Sequence, residues 1–368
     1  MDFKCGEIID IMEEIAPPFL AEDWDNIGLM LGSREQRVKR ILICLDASEA
    51  VAEEAVCLGA DMIISHHPLI FKGLKSIVSD NAKGRLIYKL IKNGIAVYSA
   101  HTNLDAASEG VNQCLAESLG LQNIQNLNSH RHEKLFKIAV FVPEENADSV
   151  RSAMSEAGGG WIGGYSHCSF TGRGIGTFKA LEGTNPYIGS IGKLESVNEC
   201  KIETVATERV LGRVVDSMLK VHPYEEPAYD IYPLEIKGRQ YGMGRSGVLP
   251  GPESMEEFIG RVKAGLNIQT VRVIGNTDKK IERAAVFCGS FDGDLRSFKR
   301  SGADVLVTGD IKYHMAQDIS DMGLCAIDAG HFATERIIVP RIVGLLKNKF
   351  PKVDILASNM ENDPLRFS

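Results

Sequence analysis

Residues 61–68, Asp61-Met62-Ile63-Ile64-Ser65-His66-His67-Pro68, decide the fold class. The apolar run is short and bounded by turn-forming residues, the pattern of a strand buried on both faces of a parallel sheet. Two histidines follow where that strand runs out. Pro68 cannot extend a ladder, so the chain turns there. Open α/β sheets carry their chemistry at the carboxyl ends of strands, and imidazole is the commonest side-chain metal ligand. A lone His-His pair more often means one packed and one solvent-facing ring. Its meaning therefore depends on the rest of the chain.

Upstream, Arg40-Ile41-Leu42-Ile43-Cys44-Leu45-Asp46 reads as a strand ending in an acid, followed by an amphipathic helix from Ser48 to Leu58. Downstream, residues 83–93 read as a helix. The strand Gly94 to Ala100 ends at His101-Thr102-Asn103-Leu104-Asp105, and a helix follows from Gly110 to Leu119. This alternation predicts βαβ units and a mainly parallel sheet. Before it lie a helix over residues 6–15, stopped by Pro17-Pro18, and a turn-forming stretch from Glu22 to Leu29. We expect the latter to be a capped turn beneath a core tryptophan, Trp24.

The pattern returns near the end of the chain. Arg283 to Cys288 answers the strand at Ile41, Ser301 to Asp310 answers Leu58 to His67, and Gly323 to His331 answers the strand ending at His101. His101-x-x-x-Asp105 is matched by His331-x-x-x-Glu335. Each pair lies on one face if the segment is helical. An internal duplication would bring these strand ends together about a pseudo-twofold axis.

Between the halves the character changes. Asn123 to Arg131 is polar and reads as a linker. A strand at Lys137–Val142 follows, then a helix over residues 145–157, a glycine-rich stretch over 161–200, a strand at Lys201–Ala206, a helix over 207–220 and a strand over 228–234. This predicts a ferredoxin-like α+β domain inserted at a loop. The expected divisions are 1–128, 129–238 and 239–368. Gly172-x-Gly174-x-Gly176 lacks the strand-turn-helix setting of a dinucleotide site and reads as a loop. Tyr241 to Gly247 reads as a turn carrying Arg245.

The bulk properties exclude several classes. The 368 residues suggest two or three domains, and 44% hydrophobic with 24% charged residues is ordinary globular composition. The net charge of −8, with no long basic run, does not favour a nucleic-acid partner. The eight cysteines are scattered without a C-x-x-C pair, which suits free thiols in a reducing cytoplasm. No leader-like segment and no apolar run of about 18 residues is present, so no membrane association is expected.

His66, His67, His101, Asp105, His331 and Glu335 offer nitrogen and oxygen donors without a cysteine. Such a set suits zinc, iron, manganese, nickel or cobalt better than calcium or magnesium. It is too large for one tetrahedral ion with an open position. Two divalent transition metal ions sharing Glu335, zinc first among the candidates, fit better. Ions paired about 3.5–4 Å apart activate water and polarise the centre attacked.

Trp24-Asp25-Asn26-x-Gly28-Leu29, Ser65-His66-His67-Pro68, His101-Thr102-Asn103-Leu104-Asp105, Thr308-Gly309-Asp310-x-x-x-His314 and Asp328-x-Gly330-His331-x-x-Thr334-Glu335 occur in this order. In these motifs the chain resembles the GTP cyclohydrolase I type 2-like, or Nif-three-like, family. The resemblance implies a duplicated α/β domain with an inserted ferredoxin-like domain of PII/CutA-like type, marked here by His222-Pro223-Tyr224-Glu225-Glu226-Pro227. It implies metal ligands at His66, His67, Asp105, His331 and Glu335. The family's pattern does not count His101 as a ligand, so His101, and His314 by the same reasoning, are expected beside the metals, orienting them or exchanging protons. The family's ring-shaped assemblies imply a homo-oligomer, a hexamer. Its name implies a metal-dependent hydrolase of a nucleotide- or pterin-like small molecule. A non-catalytic metal-binding regulator or scaffold is the alternative.

Overall fold

Asp61 and Asp304 play the same part in two different sheets. Asp61 Oδ2 accepts hydrogen bonds from the backbone N–H of Lys39 (2.7 Å) and Arg40 (2.9 Å). Asp304 Oδ2 accepts from Glu282 and Arg283, both at 3.0 Å. Each aspartate's own N–H donates back, to Arg40 O at 3.0 Å and to Arg283 O at 2.8 Å. A carboxylate at the start of one strand thus fixes the register of its parallel neighbour.

The computed structural model describes residues 3–276, 278–291 and 294–366. The chain forms two compact units, residues 1–130 with 241–368, and residues 131–240. The first holds two larger sheets. One has the strand order Asp354–Ala357, Arg40–Cys44, Met62–Ser65, Ala96–Ser99, Gly28–Leu31, all parallel except the last. The other has the order Arg272–Ile274, Ala326–Asp328, Val305–Gly309, Ile281–Ser290, Gln240–Glu253, Gln122–His132, with a parallel central trio.

Alternation along these strands divides the core. Ile43, Ile64, Tyr98, Val286, Val307 and Ile327 share one cluster with Ile8 and Met12 of the helix Cys5–Ile15. Leu42, Ile63 and Val97 face the other way, onto Val51 and Ala55 of the helix Glu49–Leu58 and Ile87 and Leu90 of Ala82–Lys92. In the second sheet Ala285 and Leu306 face Phe298 and Ile319. Strands covered on both faces leave only their ends open, and the carboxyl ends carry the histidines.

Two expectations are corrected here. Residues 122–132 form an edge strand rather than a linker. Ile124 and Leu127 supply its packing, and the surrounding Asn and Gln residues hide that pattern in the sequence. Tyr241–Gly247 is strand interior, not a turn. Its glycines allow close strand approach: a Cβ on Gly242 would lie 1.6 Å from Asn128 O. Arg245 is 3% exposed. Its guanidinium donates to the carbonyls of Gly242 (2.8 Å), Gly244 (2.9 Å) and Ala107 (2.7 Å), so it ties backbone segments together.

The second unit is an antiparallel four-stranded sheet in the order Tyr229–Leu234, Leu135–Pro143, Leu194–Thr207, Ser169–Lys179. Helices Ala147–Glu156 and Glu208–Val221 pack on one face through Val150, Met154, Val214 and Met218. The chain order is β-α-β-β-α-β. Gly172, Gly174 and Gly176 lie within the strand Ser169–Lys179, not in a loop. Among the described residues of the whole chain, no helix is long and apolar enough to cross a membrane.

Candidate metal centre

Four imidazoles are held from behind by the same device. His66 Nδ1 lies 2.9 Å from Ala100 O, His67 Nδ1 2.9 Å from Asp46 Oδ1, His101 Nδ1 2.8 Å from Asp25 Oδ1, and His331 Nδ1 2.8 Å from Asp310 Oδ2. Each partner only accepts, so each Nδ1 carries the hydrogen and each Nε2 is left as a forward-facing donor atom for a cation. Three of the four holders come from the ends of strands. Asp46 follows Arg40–Cys44, Ala100 follows Ala96–Ser99, and Asp310 follows Val305–Gly309.

The Nε2 atoms meet two buried carboxylates. Glu335 Oε2 is 2.9 Å from His67 Nε2 and 3.0 Å from His331 Nε2. His66 Nε2 is 3.5 Å from Asp105 Oδ1 and 3.9 Å from Glu335 Oε2. Short helices aim both acids. Asp105 sits in Thr102–Ala106 with its N–H bonded to His101 O, and Glu335 lies one turn beyond His331 in His331–Arg336. Three overlapping groups result: His66, Asp105 and Glu335; His67, His331 and Glu335; and His66, His67 and His101. Within each, the donor atoms lie within 4.8 Å of one another.

His66 tests whether this arrangement suits a cation. The residue is 2% exposed, and its Nε2 has no hydrogen-bond partner. A buried lone pair facing two carboxylates is a costly feature unless a positive ion lies there. The electrostatics of the cluster agree. Burial opposes a charged His67, but Asp46 and Glu335 raise its pKa to about 10. Glu335 raises His331 to about 9 against burial. Burial pushes Asp105 up, whereas the imidazoles around Glu335 overcome its burial and hold it well below the usual carboxylate range. The cluster attracts positive charge, whether protons or metal.

Gly289, at the end of the strand Ile281–Ser290, makes room for the shared carboxylate. Its φ is +60°, and a Cβ there would lie 2.1 Å from Glu335 Oε1 and 3.3 Å from His331 Cε1. Beside it, the Cys288 thiol donates to Asp105 Oδ1 at 3.2 Å.

The Duf34/NIF3 (NGG1p interacting factor 3) family profile matches residues 3–364. The chain belongs to this family. It is 43% identical over 364 residues to a protein of Halalkalibacterium halodurans and 42% identical over 364 residues to one of Bacillus subtilis strain 168. Each alignment spans 98% of both chains, and both relatives are named GTP cyclohydrolase 1 type 2 homolog. A Bacillus cereus protein described as related to NIF3 has a similar structure, with TM-score 0.92, 42% identity and 99% of each chain covered. A Staphylococcus aureus protein, SA1388, gives TM-score 0.77 at 32% identity over 100% of this chain and 99% of that one.

Within this Duf34/NIF3 fold, His66, His67, Asp105, His331 and Glu335 come together, and His101 joins them at the rim. His314 is in none of the three donor groups. It is exposed on the first turn of the helix Tyr313–Asp321, where its Nδ1 lies 3.1 Å from Gln317 Oε1.

Trp24 is also corrected. It is 59% exposed, not a core residue. The turn instead buries Asp25, which accepts from His101 Nδ1, Thr102 N and Thr102 Oγ1. Burial works to raise Asp25, but the bonds from His101 and Thr102 bring its pKa down to about 2. Trp24 and the exposed Phe71 lie with ring centroids 5.9 Å apart, at 6.1 and 6.4 Å from the His101 ring. Sequence reasoning did not assign the holders Asp25, Asp46 and Asp310, nor Gly289. Acids at strand ends were the available signal for two of them.

Proposed function

We propose that the centre holds two divalent transition metal ions, zinc first among the candidates, and that the protein hydrolyses a small planar molecule of nucleotide or pterin type. The partnerless, buried Nε2 of His66 carries this reading. The two donor groups that share Glu335 use five residues, His66, His67, Asp105, His331 and Glu335. Such ions, when bound, supply Lewis acidity toward water and substrate.

The remaining roles fall to the chain itself. Asp46, Asp310 and Ala100 O keep the donor rings in one tautomer and orientation. His101 lies outside the five-donor set, clamped by Asp25 and next to the exposed rings of Trp24 and Phe71. It is our candidate for exchanging a proton with a bound substrate. Trp24 and Phe71 offer an aromatic face on which a planar heterocycle stacks. The name these relatives share, GTP cyclohydrolase 1 type 2 homolog, supports a guanine nucleotide among the candidate substrates.

We further propose a cytoplasmic homohexamer, with residues 131–240 as a PII/CutA-like module. The test is a screen of GTP, other nucleotides and pterins with metal-loaded protein, run beside Glu335→Gln. Turnover by wild type and its loss in the variant supports the reading. Equal rates after metal removal overturn the hydrolase. Metal binding without turnover of any of these substrates would leave a regulator.

A further inference from the structure

A cavity of about 420 Å³ lies within the unit 131–240, a volume suited to a small organic ligand. Phe141, Phe178 and Glu199 contribute from three adjacent strands, Tyr187 from the connecting segment, and Tyr224 to Glu226 from the far side. Three carboxylates line it, Glu199, Glu225 and Glu226, and none of its described lining residues is basic.

The lining is built rather than incidental. His222 is 8% exposed; its Nε2–H donates to Phe141 O (3.0 Å), and its Nδ1 accepts from Tyr224 N–H (3.1 Å). Tyr224, fixed in this way, donates from its hydroxyl to Glu199 Oε1 at 2.9 Å. Asn185 N–H donates to Glu225 Oε2 at 3.0 Å. Gly176 has no side chain because Glu199 occupies that space: a Cβ would lie 2.0 Å from its Oε2. The rings of Phe178 and Tyr187 pack 5.9 and 6.3 Å from Tyr224. The motif His222-Pro223-Tyr224-Glu225-Glu226-Pro227 is thus a frame for positioned carboxylates and aromatic rings.

Three negative groups exclude phosphates and other anions by repulsion. The volume and aromatic walls do not suit a bare metal ion. Aromatic faces and carboxylates together attract a cation with an apolar body. We infer that this cavity binds a small organic cation, an amine or amidine carried on a flat or aliphatic group. It is independent of the metal centre.

The probe is benzamidine, titrated calorimetrically into the full-length protein, with neutral benzamide and anionic benzoate as controls. One benzamidine binds per chain. Benzamide binds at least about tenfold more weakly, and benzoate does not bind. Glu199→Gln lowers benzamidine affinity about tenfold while metal content stays at the wild-type level. Tyr187→Ala, on a half-exposed ring, weakens binding several-fold and serves should Glu199→Gln fail to fold. Equal affinity for benzamide, no saturation below about 10 mM, wild-type binding by both variants, or loss of binding in Glu335→Gln each overturns the inference.

Discussion

His67 Nε2 and Glu335 Oε2 stand 2.9 Å apart, joined across the two halves of the chain. The same oxygen serves His331, so Glu335 is the one acid common to the two three-residue groups that make up the five-donor set. Glu335→Gln keeps the shape and removes the charge. Losing even a residue that only orients a ligand commonly costs 10–100-fold in metal affinity, so this change should cost at least about tenfold. Elemental analysis after dialysis against a weak chelator should find two ions in wild type and one or none in the variant. His101→Ala should keep both.

Gly289→Ala tests the room left for that carboxylate. A left-handed alanine costs about 1–2 kcal/mol in backbone strain alone. Gly302 also has a positive φ, +68°, but a Cβ there meets nothing within 4 Å. Gly302→Ala therefore isolates the strain. Thermal melts should show both variants destabilised, and only Gly289→Ala should lose metal.

The metal-free protein should become less stable as pH rises. Folded His67 keeps its proton to about pH 10, while the unfolded histidine releases it near 6.5. Between these values the folded state binds more protons, so stability falls with pH. The contribution is complete below 6.5 and gone above 10. His331 behaves alike up to about pH 9. Metal replaces these protons, so urea melts of the metal-loaded protein should not show the decline. Calorimetry in buffers of different ionisation enthalpy should detect proton release on metal binding at neutral pH.

Trp24→Ala should leave stability within about 0.5 kcal/mol, because the ring is mostly exposed. Metal content should not change. If the aromatic face holds substrate, KM rises several-fold with kcat little altered. An unchanged KM would remove Trp24 from substrate binding.

Much of the fold could be read from apolar runs covered on both faces, since burial leaves little choice of residue there. Residues 122–132 escaped because an edge strand needs few apolar positions, and here only Ile124 and Leu127 supply them. Tyr241–Gly247 and Gly172–Gly176 escaped for a different reason. Gly242, Gly244 and Gly247 answer to the neighbouring strand at 122–132 and Gly176 to Glu199, partners remote in sequence. The donor residues were legible because adjacent histidines and spaced His-acid pairs are local patterns. The holders were not, because Asp25 reaches His101 and Asp46 reaches His67 across distant segments. Trp24 was misplaced because composition suggests burial for a rare aromatic, whereas the turn buries its neighbour Asp25.

The edge strand Asp354–Ala357 pairs with Arg40–Cys44, and Glu361 Oε1 then accepts from Leu45 N (2.6 Å) and Asp46 N (2.8 Å), just behind His67. The ribosome makes these partners at opposite ends of its work. Residues 131–240 emerge whole before any of His331, Glu335 or Glu361 exists. A nascent chain therefore presents His66, His67 and Asp105 without their shared acid and without the tail that steadies Asp46. The five-donor set is therefore complete only once translation has passed Glu335, and a chain cut short before residue 331 carries three of its five members.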